Sequence, residues 1–202
     1  MIKNEVTLGF SGASGAPYGW RLLQVLTQAN IKVSVVMTAA GTLILKDEIH
    51  KDVPGNPQRF KEYVCENLNI SPDLIEVYSK DQWYSPLASG SGAPANMIVC
   101  PCSVGCLSAI ATGASNNLLE RAADVVLKER GKLILVVREM PLSEIHLNHM
   151  LTLSRMGVSI MPPNPGFYYQ PQTVEDLIDF VVAKILDQLD IEHQLIPKWG
   201  RG

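Results

Sequence analysis

With 202 residues, 47% of them hydrophobic and 18% charged, the chain suits one domain and carries ample apolar material for a core, which excludes disorder. Its formal net charge of -3, with Lys and Arg scattered along the chain, excludes a nucleic-acid surface and points to a metabolite as the partner. Cysteines at 65, 100, 102 and 106 form no disulfide-scaffold pattern and residues 1–10 show no charged-then-apolar leader, so a reducing, cytoplasmic location is expected.

Residues 6–10 are a short apolar run that stops at Ser11-Gly12-Ala13-Ser14-Gly15-Ala16-Pro17. That is a strand and then a loop of small residues. Pro17 fits the first turn of a helix, where its missing N–H costs nothing. Leu22, Leu23, Val25, Leu26 and Ala29 follow at near-helical spacing. Residues 31–37 are β-branched and apolar, a second strand, so the chain opens as a βαβ unit and a parallel sheet is expected. Beyond Met37 the pattern is less regular. Residues 57–68 read as a helix, 74–78 as a strand and 85–94 as a loop. Residues 96–100 read as a buried strand ending at Pro101, and Ser103 can cap a helix through Ala111.

The longest uncharged stretch, 97–119, has the length of a membrane span. Pro101 interrupts it, and Ser, Gly, Thr and Asn fill it, so a strand, a turn and a helix explain it better. Residues 117–129 are a further helix, 132–137 a strand, 143–156 a helix behind Pro141, and 158–161 a last strand. Thr173 and Asp176 form a variant capping box. Val174, Leu177, Ile178, Val181, Val182, Ile185, Leu186 and Leu189 then make one wide apolar stripe. The expected architecture is α/β: a single flavodoxin-like (Rossmann-like) domain over 1–202, an open parallel sheet with helices on both faces and a tail from about 191.

Ligands of open parallel sheets bind beyond the carboxyl ends of the strands. Three small-residue segments should converge there: 11–17, 38–41 and 101–106. The first follows a strand and opens a helix, so its backbone N–H groups and the helix N-terminus favour an anion. The glycines at 9, 12 and 15, each three apart, lack the G-x-G-x-x-G spacing of dinucleotide sites. No acidic residue ends the second strand, where Met37 and Thr38 stand, so a mononucleotide is favoured. Cys100, Cys102 and Cys106 have no partner His and no zinc spacing, so no metal site is expected, and Cys100 reads as a small buried hydrophobe. Arg138-Glu139 puts two charges at a strand's carboxyl end, beside the presumed crevice or simply in solvent.

Gly12-Ala13-Ser14-Gly15-Ala16, Cys100-Pro101-Cys102-Ser103, residues 116–124 (NNLLERAAD), Arg138-Glu139, Pro165-Gly166-Phe167-Tyr168 and Pro197-Lys198-Trp199-Gly200 together resemble the UbiX-type flavin prenyltransferases, over almost the whole chain. The resemblance implies transfer of a dimethylallyl group from dimethylallyl monophosphate to N5 and C6 of reduced FMN, without metal. Phosphate is released, and the prenylated FMN passes to a UbiD-type decarboxylase. It also implies a homododecamer with sites between subunits, and no membrane span. It places FMN at Gly12, Ala13, Ser14, Thr38, Ser103, Val104, Gly105, Cys106 and Arg138. It places the prenyl phosphate at Tyr168 and Lys184, with Arg121, Lys128 and Glu139 around it.

Cations and a phenol aimed at the phosphate oxygens stabilise the charge that builds there. Trp83 and Trp199 suit an allylic cation, since aromatic faces attract positive charge. Glu48 and Glu139 are candidate proton relays, and Ser14 can orient the flavin or pass a proton. Two other readings stay open. One is an FMN-dependent decarboxylase of peptidyl or pantothenoyl cysteine, whose catalytic histidine would have to be His50, with Glu48 at the matched site. The other is a plain FMN carrier.

Overall fold

Strands buried on both faces need crossover helices to cover them, and the alternation of β-branched runs with amphipathic stretches supplies both. The computed structural model describes residues 2–197. Its strands are β1 (Ile2–Phe10), β2 (Lys32–Met37), β3 (Ile75–Tyr78), β4 (Pro94–Cys102), β5 (Lys132–Val137) and β6 (Ser159–Ile160). They form one sheet in the order β3-β2-β1-β4-β5-β6, and every pairing is parallel. The helices are α1 (Ala16–Gln28), α2 (Ala39–Glu48), α3 (Pro57–Leu68), α4 (Val104–Ala111), α5 (Leu118–Lys128), α6 (Glu144–Arg155) and α7 (Val174–Gln188).

Each face of the sheet has its own core. On one face Val6, Leu8 and Phe10 of β1 and Val33 and Val35 of β2 pack with Leu22, Leu23 and Leu26 of α1, Phe60 of α3 and Val182, Ile185 and Leu186 of α7. On the other, Met97 and Val99 of β4 and Leu133 and Leu135 of β5 pack with Leu107 of α4, Leu119 and Val126 of α5 and Leu153 of α6. The period-2 alternation of strand side chains assigns each residue to its face. Each fully buried Leu or Phe here contributes about 1.5–3 kcal/mol relative to exposure.

Three expectations need correction, and one helix was missed. β1 begins at Ile2 rather than Val6, and Ile2 pairs with Pro94 across a register shift. β4 runs through Pro101 to Cys102 instead of stopping at Pro101. The register with β5 shifts between Val99 and Cys102, and such a bulge accommodates a residue that cannot donate to the ladder. The last strand is only Ser159–Ile160. The helix α2 went unread, because only Gly41 and Leu45 of it are buried while Leu43 faces out, so it carries no clean apolar stripe.

Candidate functional site

The strand order reverses between β1 and β4. The loop after β1 therefore faces the loop after β4 at the carboxyl edge, which is where doubly wound sheets open a crevice. Ser11 staples the two sides: its buried hydroxyl donates to the Pro101 carbonyl at 2.8 Å and accepts from the Ser103 N–H at 2.7 Å. Thr38 is held beside them by its N–H on the Phe10 carbonyl, and Arg138 by its N–H on the Cys102 carbonyl. Thr38 caps α2 by accepting from the Gly41 N–H, and Ser103 caps α4 by accepting from the Cys106 N–H. A helix start presents four N–H groups without intrahelical partners, so two first turns aim donors at the crevice beside these hydroxyls. The Arg138 guanidinium reaches over and donates Nε–H to the Ser14 carbonyl at 3.2 Å. Thus Gly12, Ala13, Ser14, Thr38, Ser103, Val104, Gly105, Cys106 and Arg138 do come to one place. Hydroxyls, helix starts and a guanidinium make a donor set that fits a phosphorylated, planar mononucleotide.

The N-terminus of α1 is engaged differently from the expectation. One Glu48 oxygen accepts from the Gly15 and the Ala16 N–H groups, both at 2.8 Å. Gly15 has φ 114, a left-handed conformation that glycine adopts without the Cβ penalty, and this turn points the two N–H groups the same way. The anion at the start of α1 is thus a carboxylate of the chain itself. That carboxylate takes up the two N–H groups that the sequence reading offered to a phosphate. Glu48 anchors the loop that carries Ser14.

Around the crevice, burial pushes the Cys100 thiol up. The hydrogen bond with Cys106, followed by burial, pushes Cys102 well up. Both are buried core residues, which the sequence reading held for Cys100. Glu139 follows Arg138 and accepts the Met140 N–H at 3.2 Å. His50 is exposed and sits 3.5 Å from Asp52. A cavity of 370 Å³ opens beside Thr38 at the ends of β2 and β3, lined also by Thr42, Tyr78 and Lys80. Those three were not singled out in the sequence. Thr42, one turn after the capping Thr38, carried the only signal, and it depended on recognising α2.

Tyr168 and Lys184 form a second group on the flank of α7. Both pack on Phe180: the Tyr168 ring edge-on at 5.7 Å, the Lys184 ammonium 5.9 Å from the ring centre. Arg121 and Lys128 belong to neither group. Arg121 donates to the Ala88 carbonyl and pairs with Asp124. Lys128 pairs with Glu129 at the end of α5, just before β5 begins, which puts it at the amino edge of the sheet. The length of β5, roughly 16 Å at 3.3 Å per residue, separates that edge from the crevice. A larger cavity of 610 Å³ opens there, lined by Lys128, Arg130, Arg155 and Asp124. Trp83 is half-exposed in the loop after β3, and Trp199 lies outside the described residues. Among the described residues no group of three or more His, Cys, Asp or Glu could hold a metal, and no helix is long and apolar enough to cross a membrane.

A doubly wound sheet with a donor-lined crevice at its switch point defines a nucleotide-binding α/β protein. The chain belongs to the Flavoprotein family, whose model matches residues 1–186, and within it to the flavin prenyltransferases. It is 50% identical over 196 residues to the flavin prenyltransferase UbiX of Pseudomonas aeruginosa, covering 97% of this chain and 94% of that one. It is 48% identical to that of Halalkalibacterium halodurans, covering 99% and 95%. Among solved structures it is similar to AnUbiX (PadA1) in complex with FMN and dimethylallyl pyrophosphate, at TM-score 0.86 and 35% identity, covering 99% and 98%. It is also similar to a dodecameric FMN-dependent UbiX-like decarboxylase from Escherichia coli O157:H7, at TM-score 0.83 and 40% identity, covering 96% and 98%. The epidermin biosynthesis protein EpiD of Staphylococcus aureus, at 16% identity and TM-score 0.55, shares the fold alone.

Proposed function

We propose that the chain prenylates reduced FMN at N5 and C6 with dimethylallyl monophosphate and releases inorganic phosphate. The observation that carries this reading is the crevice joining Ser14, Thr38, Ser103 and Arg138, in a chain half identical to a flavin prenyltransferase. Arg138, the two helix starts and the hydroxyls hold FMN, with Ser14 orienting its ring. The carbon–oxygen bond of the donor breaks with its electron pair on the phosphate. Tyr168 and Lys184 stabilise that charge where a phenol and an ammonium stand together. Glu139, beside Arg138, takes the proton lost on ring closure at C6. Lys and Arg neutralise the phosphate, so the reaction runs without a divalent metal. The product is a cofactor for a UbiD-type decarboxylase, and the enzyme works in the cytoplasm.

The separation of the crevice, the α7 pair and Lys128 supports a site completed by a second copy of the chain. The similar dodecameric structure supports the same reading, as do the exposed Met140, Ile145 and Leu147 next to Arg138 and Glu139. Phosphate release tests the reaction: it should require both reduced FMN and the donor, and should persist in EDTA. Release that is independent of flavin, or that vanishes with EDTA and returns with magnesium, contradicts the proposal. Mixing Arg138→Ala with Lys184→Ala subunits tests the shared site: activity should recover if different chains supply the two residues.

A further inference from the structure

The ring of Phe180 lies at the centre of the α7 group. It is almost fully buried, and three neighbours use it. Tyr169 stacks on it at 5.4 Å with the rings 12° apart and anchors its hydroxyl on the Asp176 carbonyl at 2.7 Å. Tyr168 meets it edge-on, at 5.7 Å and 74°. The Lys184 ammonium stands 5.9 Å from its centre. The chain before Tyr168 comes so close that a Cβ on Gly166 would lie 3.0 Å from both the Phe180 and the Tyr168 rings.

Lys184 is restrained from a second side. Its Nζ donates to Asp187 Oδ2 at 3.2 Å, and Asp187 Oδ1 is bonded to the buried His193 at 3.1 Å. The ammonium thus stands between a ring and a carboxylate. A lysine restrained in this way gives up less rotamer freedom on binding a phosphate than a free one does.

We propose that Phe180 is the positioning residue of the donor-phosphate subsite, its ring being the shared platform that sets Tyr168 and Lys184 in register. This rests on the reading of Tyr168 and Lys184 as ligands of the prenyl phosphate. The electron-rich ring face attracts the ammonium, and the edge of Tyr168 takes a complementary orientation. Phe180 need not touch the donor; it acts through the two residues packed on it.

The test is a series of ring-fluorinated phenylalanines at position 180, with Phe180→Leu alongside, in the full-length protein supplied with reduced FMN. Fluorine drains charge from the ring face at nearly constant volume, so a purely space-filling role would not respond. The KM for dimethylallyl monophosphate should climb in step with fluorination by about two- to fivefold in total, the scale of one exposed cation–π contact. FMN affinity should stay near wild type, kcat/KM should fall by at least the factor by which KM rises, and in a Lys184→Ala background the dependence on fluorine should collapse. A flat KM across the series, with Lys184→Ala still impaired, overturns the role of Phe180 and leaves that of Lys184. A wild-type KM in Lys184→Ala overturns the underlying reading and this inference with it. Should Phe180→Leu fail to fold, the fluorinated series still decides.

Discussion

Replacing Glu48 tests how the flavin loop is held. Glu48→Ala removes two charge-assisted hydrogen bonds of 2.8 Å, to Gly15 and Ala16. A hydrogen bond to a charged group contributes about 1.5–3 kcal/mol, and an anion at a helix start adds about 0.3–1 kcal/mol. The contact is only partly buried, so water replaces part of it, and a net loss of about 2–4 kcal/mol follows. For a chain of this size each kcal/mol shifts Tm by about 2–4 °C, so thermal unfolding should drop by about 4–16 °C. FMN affinity should fall too, because Ser14 and the carbonyl that receives Arg138 ride on this loop. Glu48→Gln keeps an acceptor oxygen and loses the charge, so its losses should be smaller. Differential scanning calorimetry with and without FMN, and FMN titration, measure both. An unchanged Tm and FMN affinity in Glu48→Ala would refute the anchoring argument. Normal stability and FMN binding in Glu48→Gln, with turnover gone, would make Glu48 a proton relay instead.

Lys184→Ala should weaken donor binding by roughly ten- to a hundredfold, the loss of about 1.5–3 kcal/mol from one charged hydrogen bond, while calorimetry shows FMN binding intact. Glu139→Gln should leave donor and FMN binding in place and slow single turnover by about 10²–10⁴-fold; a wild-type rate would reduce Glu139 to a structural neighbour of Arg138. Thr173→Ala removes half of the capping box on α7 and should cost about 1 kcal/mol in urea unfolding. Backbone bonds from Gln172 and Thr173 hold the Asp176 carboxyl below its ordinary value. Its contribution to stability is therefore complete above about pH 4 and lost as pH falls through the lowered value, which acid unfolding of Asp176→Asn against wild type would show.

Period-2 and helical patterning made most of the sheet and the covering helices legible, because strands such as β2 and β5 bury nearly every residue. The helix α2 was not legible, since its outward Leu43 and interior Gly41 blur the stripe that reveals a helix. The passage of β4 through Pro101 was hidden for a related reason: a proline ends a strand on local grounds, and only the bulge against β5 keeps this one going. At the site, the small-residue loops and Arg138 could be placed from their positions at strand ends. The capping role of Glu48 could not, because the contact spans 33 residues and depends on α2 turning the carboxylate toward Gly15. The shared use of Phe180 by Tyr168 and Lys184 was likewise invisible, since in sequence Phe180 is simply one more apolar residue of α7.

Prenyl transfer leaves its mark on the flavin itself. Reduced FMN and dimethylallyl monophosphate are incubated with the protein in EDTA, and the flavin is extracted for mass spectrometry. The flavin should be heavier by one isoprene unit, formed with one phosphate released per flavin. Flavin that binds and returns unmodified, with the donor intact, would contradict it.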